Sequence, residues 1–313
     1  MSQRRKFLQS LFFVPAIATT NIRGSASEVG ALASNEVGAL ASNSSLSHRF
    51  KISLNAYSFN APLTKKEITI EEVIDFCGNL NIDAIDITGY YLQNYPQVPS
   101  DEYIYSIKNR VHKAGLSISG TGIRNDFGSP NPTNRQAEVD FVKKWIEVAA
   151  KLGAPVIRIY SAKKLPDGYV WKEVADWIIE SFEQCVQYGK KLGVIIAMQN
   201  HNDFILTAEQ AIYFVDRLDK QWFGLVVDTG NFQTKEGYSE IELVAPYAVN
   251  WQIKELITID GKVQPMYLKK LVKIIAASPY KGYLPTETLN PGDPKVIIPP
   301  FLKKVSDQLK PYM

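Results

Sequence analysis

Residues 191–203 read KLGVIIAMQNHND, a string in which a helix end, a strand and a polar loop follow one another directly. Lys191 places a cation in the last helical turn and Gly193 suits a left-handed turn, after which the apolar run 194–198 predicts a buried strand. The same punctuation recurs in KAGLSISGTG at 113–122 and in KLGAPVIRIY at 151–160. Such repeats are typical of an α/β fold with a parallel sheet.

Eight runs of strand-like composition occur between residue 50 and the C-terminus. They predict strands at 52–56, 84–88, 117–122, 156–160, 194–198, 223–227, 248–253 and 283–286. Three of the intervening helices have capping-box spacing at their start, in Thr69 with Glu72, Thr133 with Gln136 and Thr207 with Gln210. About 260 residues for eight units is the usual size of a (β/α)8 barrel. We therefore predict a single-domain TIM barrel of the α/β class over residues 50–313.

An open doubly wound sheet that binds a dinucleotide is the alternative architecture. The nearest approach to its glycine fingerprint is Gly120-Thr121-Gly122, which lacks a third glycine and is not followed at once by a helix. The sequence also contains no phosphate-binding loop of the GxxxxGK[ST] type. We expect the closed barrel and no nucleotide cofactor.

The first 49 residues do not have the pattern of a folded domain. Arg4 and Arg5 precede an apolar run at 11–18, an order that predicts a secretory signal at 1–18 and resembles a twin-arginine export signal. The run is about half of the ~20 residues that span a bilayer, so we expect periplasmic export without stable membrane insertion after cleavage. Tandem octamers, SEVGALAS and NEVGALAS, fill 27–42 and predict a flexible spacer over 19–49.

The overall composition excludes several classes of partner. The chain has 35 Lys and Arg against 32 Asp and Glu, a balance that provides no basic stripe for a nucleic acid backbone. Cys77 and Cys185 fall in separate helical patterns, which predicts buried free thiols rather than a disulfide or a Cys metal site. A small-molecule ligand is the expected partner, and an oligomer remains open.

Four consecutive predicted strands end in polar residues. The groups are Gln199-Asn200-His201, Asp228-Thr229-Gly230-Asn231, Gln252-Ile253-Lys254-Glu255 and Thr286-Glu287-Thr288. Chemistry in a (β/α)8 barrel takes place at the C-terminal ends of the strands, so these side chains are expected to converge on one polyol or metal site. Tyr57, Asp86, Arg124 and Asp126 close the first three strands and are further candidates for binding substrate, together with Asn200 and Asn231.

Residues 52–305 resemble the sugar phosphate isomerase and epimerase family, whose members have a xylose isomerase-like barrel. The resemblance rests on Asn200-His201, on Asp228 with Gly230-Asn231, on Lys254-Glu255 and on Glu287. It implies a small carbohydrate substrate, one divalent metal held by four strand ends, and proton transfer next to a carbonyl. A branch of DNA-repair endonucleases belongs to the same family, but its His-rich zinc site does not suit a chain with three histidines.

The family's four metal ligands are Glu, Asp, His and Glu, and their positions are occupied here by Gln199, Asp228, Gln252 and Glu287. Amide oxygens carry no charge, so any bound metal is expected to be held weakly. It is also expected to be Mn²⁺, Mg²⁺ or Ca²⁺ rather than Zn²⁺.

The change on the fifth strand also affects the expected mechanism, because Gln199 cannot exchange a proton. The resemblance leaves Glu287 as the catalytic base. His201 is the candidate partner, since a histidine ordinarily titrates near neutral pH. Lys254 is the candidate for stabilising an enolate oxygen.

A sugar or keto-sugar isomerase or epimerase is the leading hypothesis. A keto-sugar lyase or hydratase needs the same acidic carbon, and a glycosidase needs a pair of carboxylates, so both remain alternatives. A third alternative is a non-catalytic sugar-binding barrel, because Gln199 and Gln252 replace groups on which the family's chemistry depends.

Overall fold

Eight parallel strands close into a barrel in the computed structural model, which describes residues 50–201, 204–232 and 234–313. The first seven strands of the ring are β1 (Phe50–Asn55), β2 (Ala84–Thr88), β3 (Ser117–Gly122), β4 (Val156–Ile159), β5 (Ile195–Gln199), β6 (Phe223–Asp228) and β7 (Ala248–Lys254). The chain then forms a separate hairpin of β8 (Leu256–Ile259) and β9 (Lys262–Pro265), and the eighth strand of the ring is β10 (Gly282–Glu287). Strand β10 pairs with β1 from Gly282 with Phe50 to Thr286 with Leu54, which closes the ring. The predicted (β/α)8 barrel is confirmed, and the open sheet is excluded.

Helices connect the strands of the ring in the described chain. They are α1 (Asn60–Thr64), α2 (Ile70–Gly78), α3 (Asp101–Lys113), α4 (Pro132–Leu152), α5 (Trp171–Leu192), α6 (Ala208–Val215), α7 (Gly237–Val244), α8 (Leu268–Ala277) and α9 (Pro294–Leu309). Cys77 in α2 and Cys185 in α5 are free and buried, as predicted, and burial raises the pKa of each thiol to about 12. Among the described helices, none combines the length and apolarity needed to cross a membrane.

Two of the three predicted helix starts are confirmed. Thr69 and Thr207 each accept a hydrogen bond from the backbone three residues on and form complete capping boxes. The box predicted at Thr133 is wrong, because the N-cap lies two residues earlier and α4 begins at Pro132. Asn131 is the N-cap and accepts a hydrogen bond from the backbone N–H of Thr133 at 2.8 Å. Pro132 fills the first helical position, where the missing N–H of proline costs nothing.

Three helices end on glycines in the left-handed conformation, as the repeated punctuation predicts. The φ angles are +75° at Gly115, +81° at Gly153 and +71° at Gly193. Each glycine lies close before a barrel strand, so the turn sets the direction in which the chain enters the sheet.

The glycines of β3 leave space for charged side chains inside the barrel. A Cβ atom on Gly120 would lie 2.6 Å from Asp86 Oδ2, and one on Gly122 would lie 2.7 Å from Arg158 Nη2. Both separations are too short for real atoms, so the Gly120-Thr121-Gly122 motif reflects close approach within the sheet and not a dinucleotide fingerprint.

The structure does not test the predicted signal peptide, the predicted spacer or the predicted boundary at residue 50. Residues 1–49 lie outside the described ranges. Export to the periplasm therefore remains a prediction from the sequence.

Candidate active site

A cavity of about 510 Å³ opens at the C-terminal ends of the barrel strands, within the size range of small-molecule sites. Nine of the twelve residues that the sequence nominates line it, namely Tyr57, Arg124, Gln199, His201, Asp228, Asn231, Gln252, Lys254 and Glu287. The expected convergence of the strand ends is therefore present in the structure, although the chemical role of each side chain remains a prediction.

Two buried carboxylates share one ammonium ion at this end of the barrel. Lys254 Nζ lies 3.5 Å from Asp228 Oδ2 and also contacts Glu287 Oε1. Both carboxylate side chains are 0% exposed, whereas that of Lys254 is 16% exposed. Burial opposes the charge of Lys254, yet the two carboxylates raise its pKa above the usual value. Lys254 is therefore held as a cation.

Burial changes the pKa of the two carboxylates in the opposite direction to that of Lys254. It raises the pKa of Asp228 and of Glu287, while Lys254 limits the rise at both groups. A buried carboxylate with a raised pKa accepts a proton more readily than an exposed one. This property suits Glu287 to exchanging a proton with a ligand in the cavity.

Two glutamine amides form a second connection between the two carboxylates. Gln199 Nε2 donates to Asp228 Oδ2 at 2.7 Å and to Gln252 Oε1 at 3.0 Å. Gln252 Nε2 in turn donates to Glu287 Oε2. Together with Lys254, these bonds form a closed ring of polar contacts in which each carboxylate is hydrogen-bonded.

Asn200 supports Asp228 from behind the cavity and does not line it. Its side chain donates to the backbone carbonyl of Asp228 at 2.9 Å and accepts from the backbone N–H of Asp228 at 2.8 Å. Asn231 Nδ2 donates to the backbone carbonyl of Asn200 at 3.0 Å, and the N–H of Gly230 donates to Asp228 Oδ1 at 3.0 Å. Asn200 therefore positions Asp228, while Asn231 reaches the cavity.

Two of the nominated acidic residues lie elsewhere. Asp86 is buried inside the barrel, where it accepts a hydrogen bond from Asn250 Nδ2 at 3.4 Å. Asp126 lines a different surface groove, accepts from the N–H of Gly128 at 3.0 Å and lies 3.9 Å from Lys163 Nζ. A position near a strand end does not determine where the side chain points. For this reason Asp86 and Asp126, although predicted to bind substrate, do not line the cavity.

Asp86 is expected to make folding stability depend on pH. Burial raises its pKa to about 6, against the opposing effect of the Arg158 cation. Because the pKa of Asp86 is higher in the folded than in the unfolded protein, its contribution to folding stability is present at low pH. This contribution is lost as the pH rises through about 6. The free energy of unfolding of Asp86→Asn, relative to that of the wild type, should therefore increase by about 2–3 kcal/mol between pH 4 and pH 8. Urea unfolding at both pH values measures this difference.

Asp167→Asn is the matched control for this measurement, since the side chain of Asp167 is 98% exposed. The control should follow the wild-type pH profile. An Asp86→Asn profile parallel to that of the wild type would contradict the assignment of the pH dependence to Asp86.

His201 differs from its sequence-based expectation in its protonation. Burial, reinforced by the cations of Arg158, Lys254 and Arg124, lowers the pKa of His201 to about 3. Its ring centroid lies 4.5 Å from that of Tyr160. The expectation of titration near neutral pH is therefore wrong, and His201 is a neutral hydrogen-bonding group at pH 7. This low pKa could not be predicted from the sequence, because the three cations are far apart along the chain and meet only in the fold.

The cluster fits its own ammonium ion and does not fit a divalent metal. Lys254 already contacts both carboxylates, and the glutamine N–H groups of Gln199 and Gln252 are directed at carboxylate oxygens. A metal would need the lone pairs that these donors occupy. Among the described residues, no group of three or more His, Cys, Asp or Glu side chains could hold a metal ion.

Eight residues of the cavity lining were not nominated from the sequence, among them Arg158, Tyr160 and Tyr90. Arg158 projects from β4, with its guanidinium 4.2 Å from the centroid of Tyr160, and Arg124 lies 4.2 Å from the centroid of Tyr90. A charged residue inside the apolar run VIRIY was the available signal for Arg158. Tyr90, in a short 3-10 helix after β2, carries no comparable signal.

The family model described as the xylose isomerase-like TIM barrel matches residues 74–300. This chain therefore belongs to the xylose isomerase-like TIM barrel family. No curated protein matches the sequence significantly.

Solved structures with the same fold share little sequence with this chain. It is similar to D-psicose 3-epimerase with D-tagatose from Clostridium cellulolyticum H10, with a TM-score of 0.65 and 16% identity over 84% of this chain and 98% of that one. The 3-keto-D-glucoside 4-epimerase of E. coli, in its apo form, has a TM-score of 0.62 and 14% identity over 85% and 99% of the two chains. A xylose isomerase-like TIM barrel protein from Mycobacterium smegmatis, in complex with magnesium, has a TM-score of 0.65 and 18% identity over 85% and 98%.

Proposed function

We propose that this chain is an isomerase- or epimerase-type enzyme that moves a proton at the carbon next to the carbonyl of a small sugar. The observation that carries the proposal is the Lys254 ammonium held between the buried carboxylates of Asp228 and Glu287. A proton acceptor beside a fixed cation is the combination that enolisation of a carbonyl compound requires.

In the proposed step, the Glu287 carboxylate takes the proton from the carbon. The electron pair of the broken C–H bond forms a carbon–carbon double bond, and the carbonyl oxygen becomes the negatively charged oxygen of an enediolate. Lys254 stabilises this charge, because an ammonium ion in a site shielded from water acts more strongly than it would in bulk solvent. Glu287 then delivers the proton to the former carbonyl carbon. The proton of the neighbouring hydroxyl moves to the former carbonyl oxygen, so that the carbonyl group shifts to the adjacent carbon.

The amide at Gln199 favours isomerisation over epimerisation. Epimerisation requires a proton to leave one face of the carbon and another to arrive on the opposite face, which takes two exchanging groups. Asp228 is contacted by three donors, from Gln199, Gly230 and Lys254. Glu287 has two, from Gln252 and Lys254, so we assign this less engaged carboxylate as the proton acceptor of the cluster. A single base on one face can move a proton between two adjacent carbons.

Lys254 takes the electrostatic part that a divalent metal would otherwise supply. Its raised pKa keeps the ammonium charged at neutral pH, and its two carboxylate contacts fix the position of the charge. The sequence-based expectation of a weakly held Mn²⁺, Mg²⁺ or Ca²⁺ is the competing hypothesis for the source of the positive charge.

Exchange of solvent deuterium into the substrate tests the proposal. The protein is incubated in D₂O with ketopentoses and ketohexoses, and the recovered sugars are analysed by mass spectrometry. At least one sugar is expected to gain deuterium at the carbon next to its carbonyl. Absence of incorporation in sugars that bind the protein would contradict the proposal.

A non-catalytic sugar-binding barrel is the second candidate, and one observation favours it. Both carboxylate oxygens of Glu287 have partners, in Gln252 and Lys254, and the side chain is fully buried. Binding without deuterium exchange is the result that this candidate predicts. A lyase or hydratase would show exchange together with a dehydrated or hydrated product.

The glycosidase alternative receives less support from the side chains. Glu255, at the end of β7, accepts hydrogen bonds from Thr288 and from Asn290 and does not line the cavity. The end of β4 provides Tyr160 and Ser161 rather than a carboxylate. The acid pair that barrel glycosidases place after these two strands is therefore not available in the cavity.

A further inference from the structure

A second set of charges lines the cavity on strands other than those of the carboxylate cluster. Arg124 follows β3 and Arg158 lies on β4. Of the carboxylates in the described chain, none lies within 4.0 Å of either guanidinium. These two cations therefore differ from Lys254, which contacts both Asp228 and Glu287.

Tyrosines orient both guanidinium groups without neutralising them. Tyr90 lies under Arg124 and Tyr160 under Arg158, each with the guanidinium carbon 4.2 Å from the ring centroid. Burial raises the pKa of Tyr90 and of Tyr160, against the opposing effect of the arginines, so both phenols stay neutral.

Arg158 is held in place before any ligand arrives. Its Nη1 donates to the backbone carbonyl of Ile123 at 2.5 Å, and its guanidinium lies against Gly122, where any Cβ atom would collide with it. A guanidinium has five N–H donors, so these contacts leave donors for a ligand. A group ordered in advance loses little conformational entropy when it binds.

The charges of the cavity do not balance. Its lining contains four cations, Arg124, Arg158, Lys163 and Lys254, against two carboxylates, Asp228 and Glu287. Lys163 is largely exposed and lies near Asp126, and Asp86 acts on Arg158 from the barrel interior without reaching the cavity. An anionic ligand would supply the missing negative charge.

We infer that Arg124 and Arg158 bind an anionic group of the substrate, so that the sugar carries a carboxylate or a phosphate. The inference that the ligand is a sugar rests on the proposed function. The planar guanidinium fork matches the oxygens of both groups and forms charge-assisted hydrogen bonds with them. One end of the ligand then lies at the arginines while its reacting carbon lies at Glu287 and Lys254.

Calorimetric titration with matched probes tests the anion site. D-glucuronate, its neutral analogue D-glucuronamide and D-glucose 6-phosphate are titrated into the wild type at low salt. At least one anion is expected to bind about tenfold to a hundredfold more tightly than the amide, the range of a charge-assisted hydrogen bond. The better anion distinguishes a carboxylate from a phosphate as the preferred group. If neither anion bound more tightly than the amide, the inference would be overturned.

Variants assign the effect to the two arginines. Arg124→Gln and Arg158→Gln should each lose most of the preference for the anion, and Arg158→Lys should retain part of it. Arg124 is exposed, so its variant keeps the test valid if Arg158→Gln fails to fold. Arg217→Gln is the matched control, because Arg217 lies 3.4 Å from the centroid of Tyr213 and does not line the cavity. An unchanged preference in Arg124→Gln and Arg158→Lys together would also overturn the inference.

The two proposals fail in different ways. Anion binding that depends on Arg124 and Arg158 without deuterium exchange would contradict proton transfer and leave the anion site standing. Exchange on neutral sugars, with no preference for either anion over the amide, would contradict the anion site alone.

Discussion

Glu287→Gln is expected to slow deuterium incorporation by about a thousandfold, within the range of about 10²–10⁴ that a positioned general base contributes. The amide preserves the size of the side chain but cannot accept a proton from carbon. Gln252 and Lys254 lose one charged partner, while Asp228 continues to hold the ammonium. The rate is measured by mass spectrometry on the sugar that exchanges with the wild type.

Glu255→Gln is the matched control for this variant. Glu255 directly follows β7, but its carboxylate accepts hydrogen bonds from Thr288 and Asn290 and does not line the cavity. Its variant should exchange within a few-fold of the wild-type rate. If Glu287→Gln retained the wild-type rate, the base would have to be another group.

Lys254→Met is expected to cost about 3–5 kcal/mol of unfolding free energy at pH 8, because it leaves two buried carboxylates without their cation. Removing the ammonium raises the folded pKa of Asp228 and Glu287 further. The loss should therefore be largest at high pH and shrink toward pH 5, where the carboxylates become protonated. Urea unfolding at both pH values measures the difference, and the variant should also lose deuterium exchange.

Lys303→Met removes an ammonium from an exposed pair and serves as the control. Lys303 Nζ lies 2.6 Å from Asp307 Oδ2, but its side chain is 74% exposed and Asp307 keeps a second partner in Lys310. Little change in stability is expected at either pH. Equal effects of the two substitutions would show that the buried cluster does not depend on Lys254.

The barrel could be predicted because its signals are local. The helix-ending glycines and the apolar runs recur along the chain, and the eight strands of the ring begin and end within two residues of the predicted positions. The hairpin of β8 and β9 was not predicted. The one wrong helix start has a local cause as well, since Pro132 moves the cap to Asn131. Local composition therefore carries most of the information about this topology.

The site could be predicted in part, through the rule that strand ends converge. Gln199, Asp228, Gln252 and Glu287 meet because they end neighbouring strands of the closed ring. The pKa of His201 and the space that Gly122 leaves for Arg158 depend on distances between side chains of different strands. Such distances have no counterpart in the order of residues along the chain.

Deuterium exchange by chelator-treated protein tests most directly whether Lys254 supplies the catalytic cation. The protein is freed of metal, its metal content is checked by elemental analysis, and the exchange rate is measured with and without added Mn²⁺. We predict that the metal-free protein exchanges at its full rate and that Mn²⁺ leaves the rate unchanged. Exchange that disappears on chelation and returns with Mn²⁺ would contradict the account.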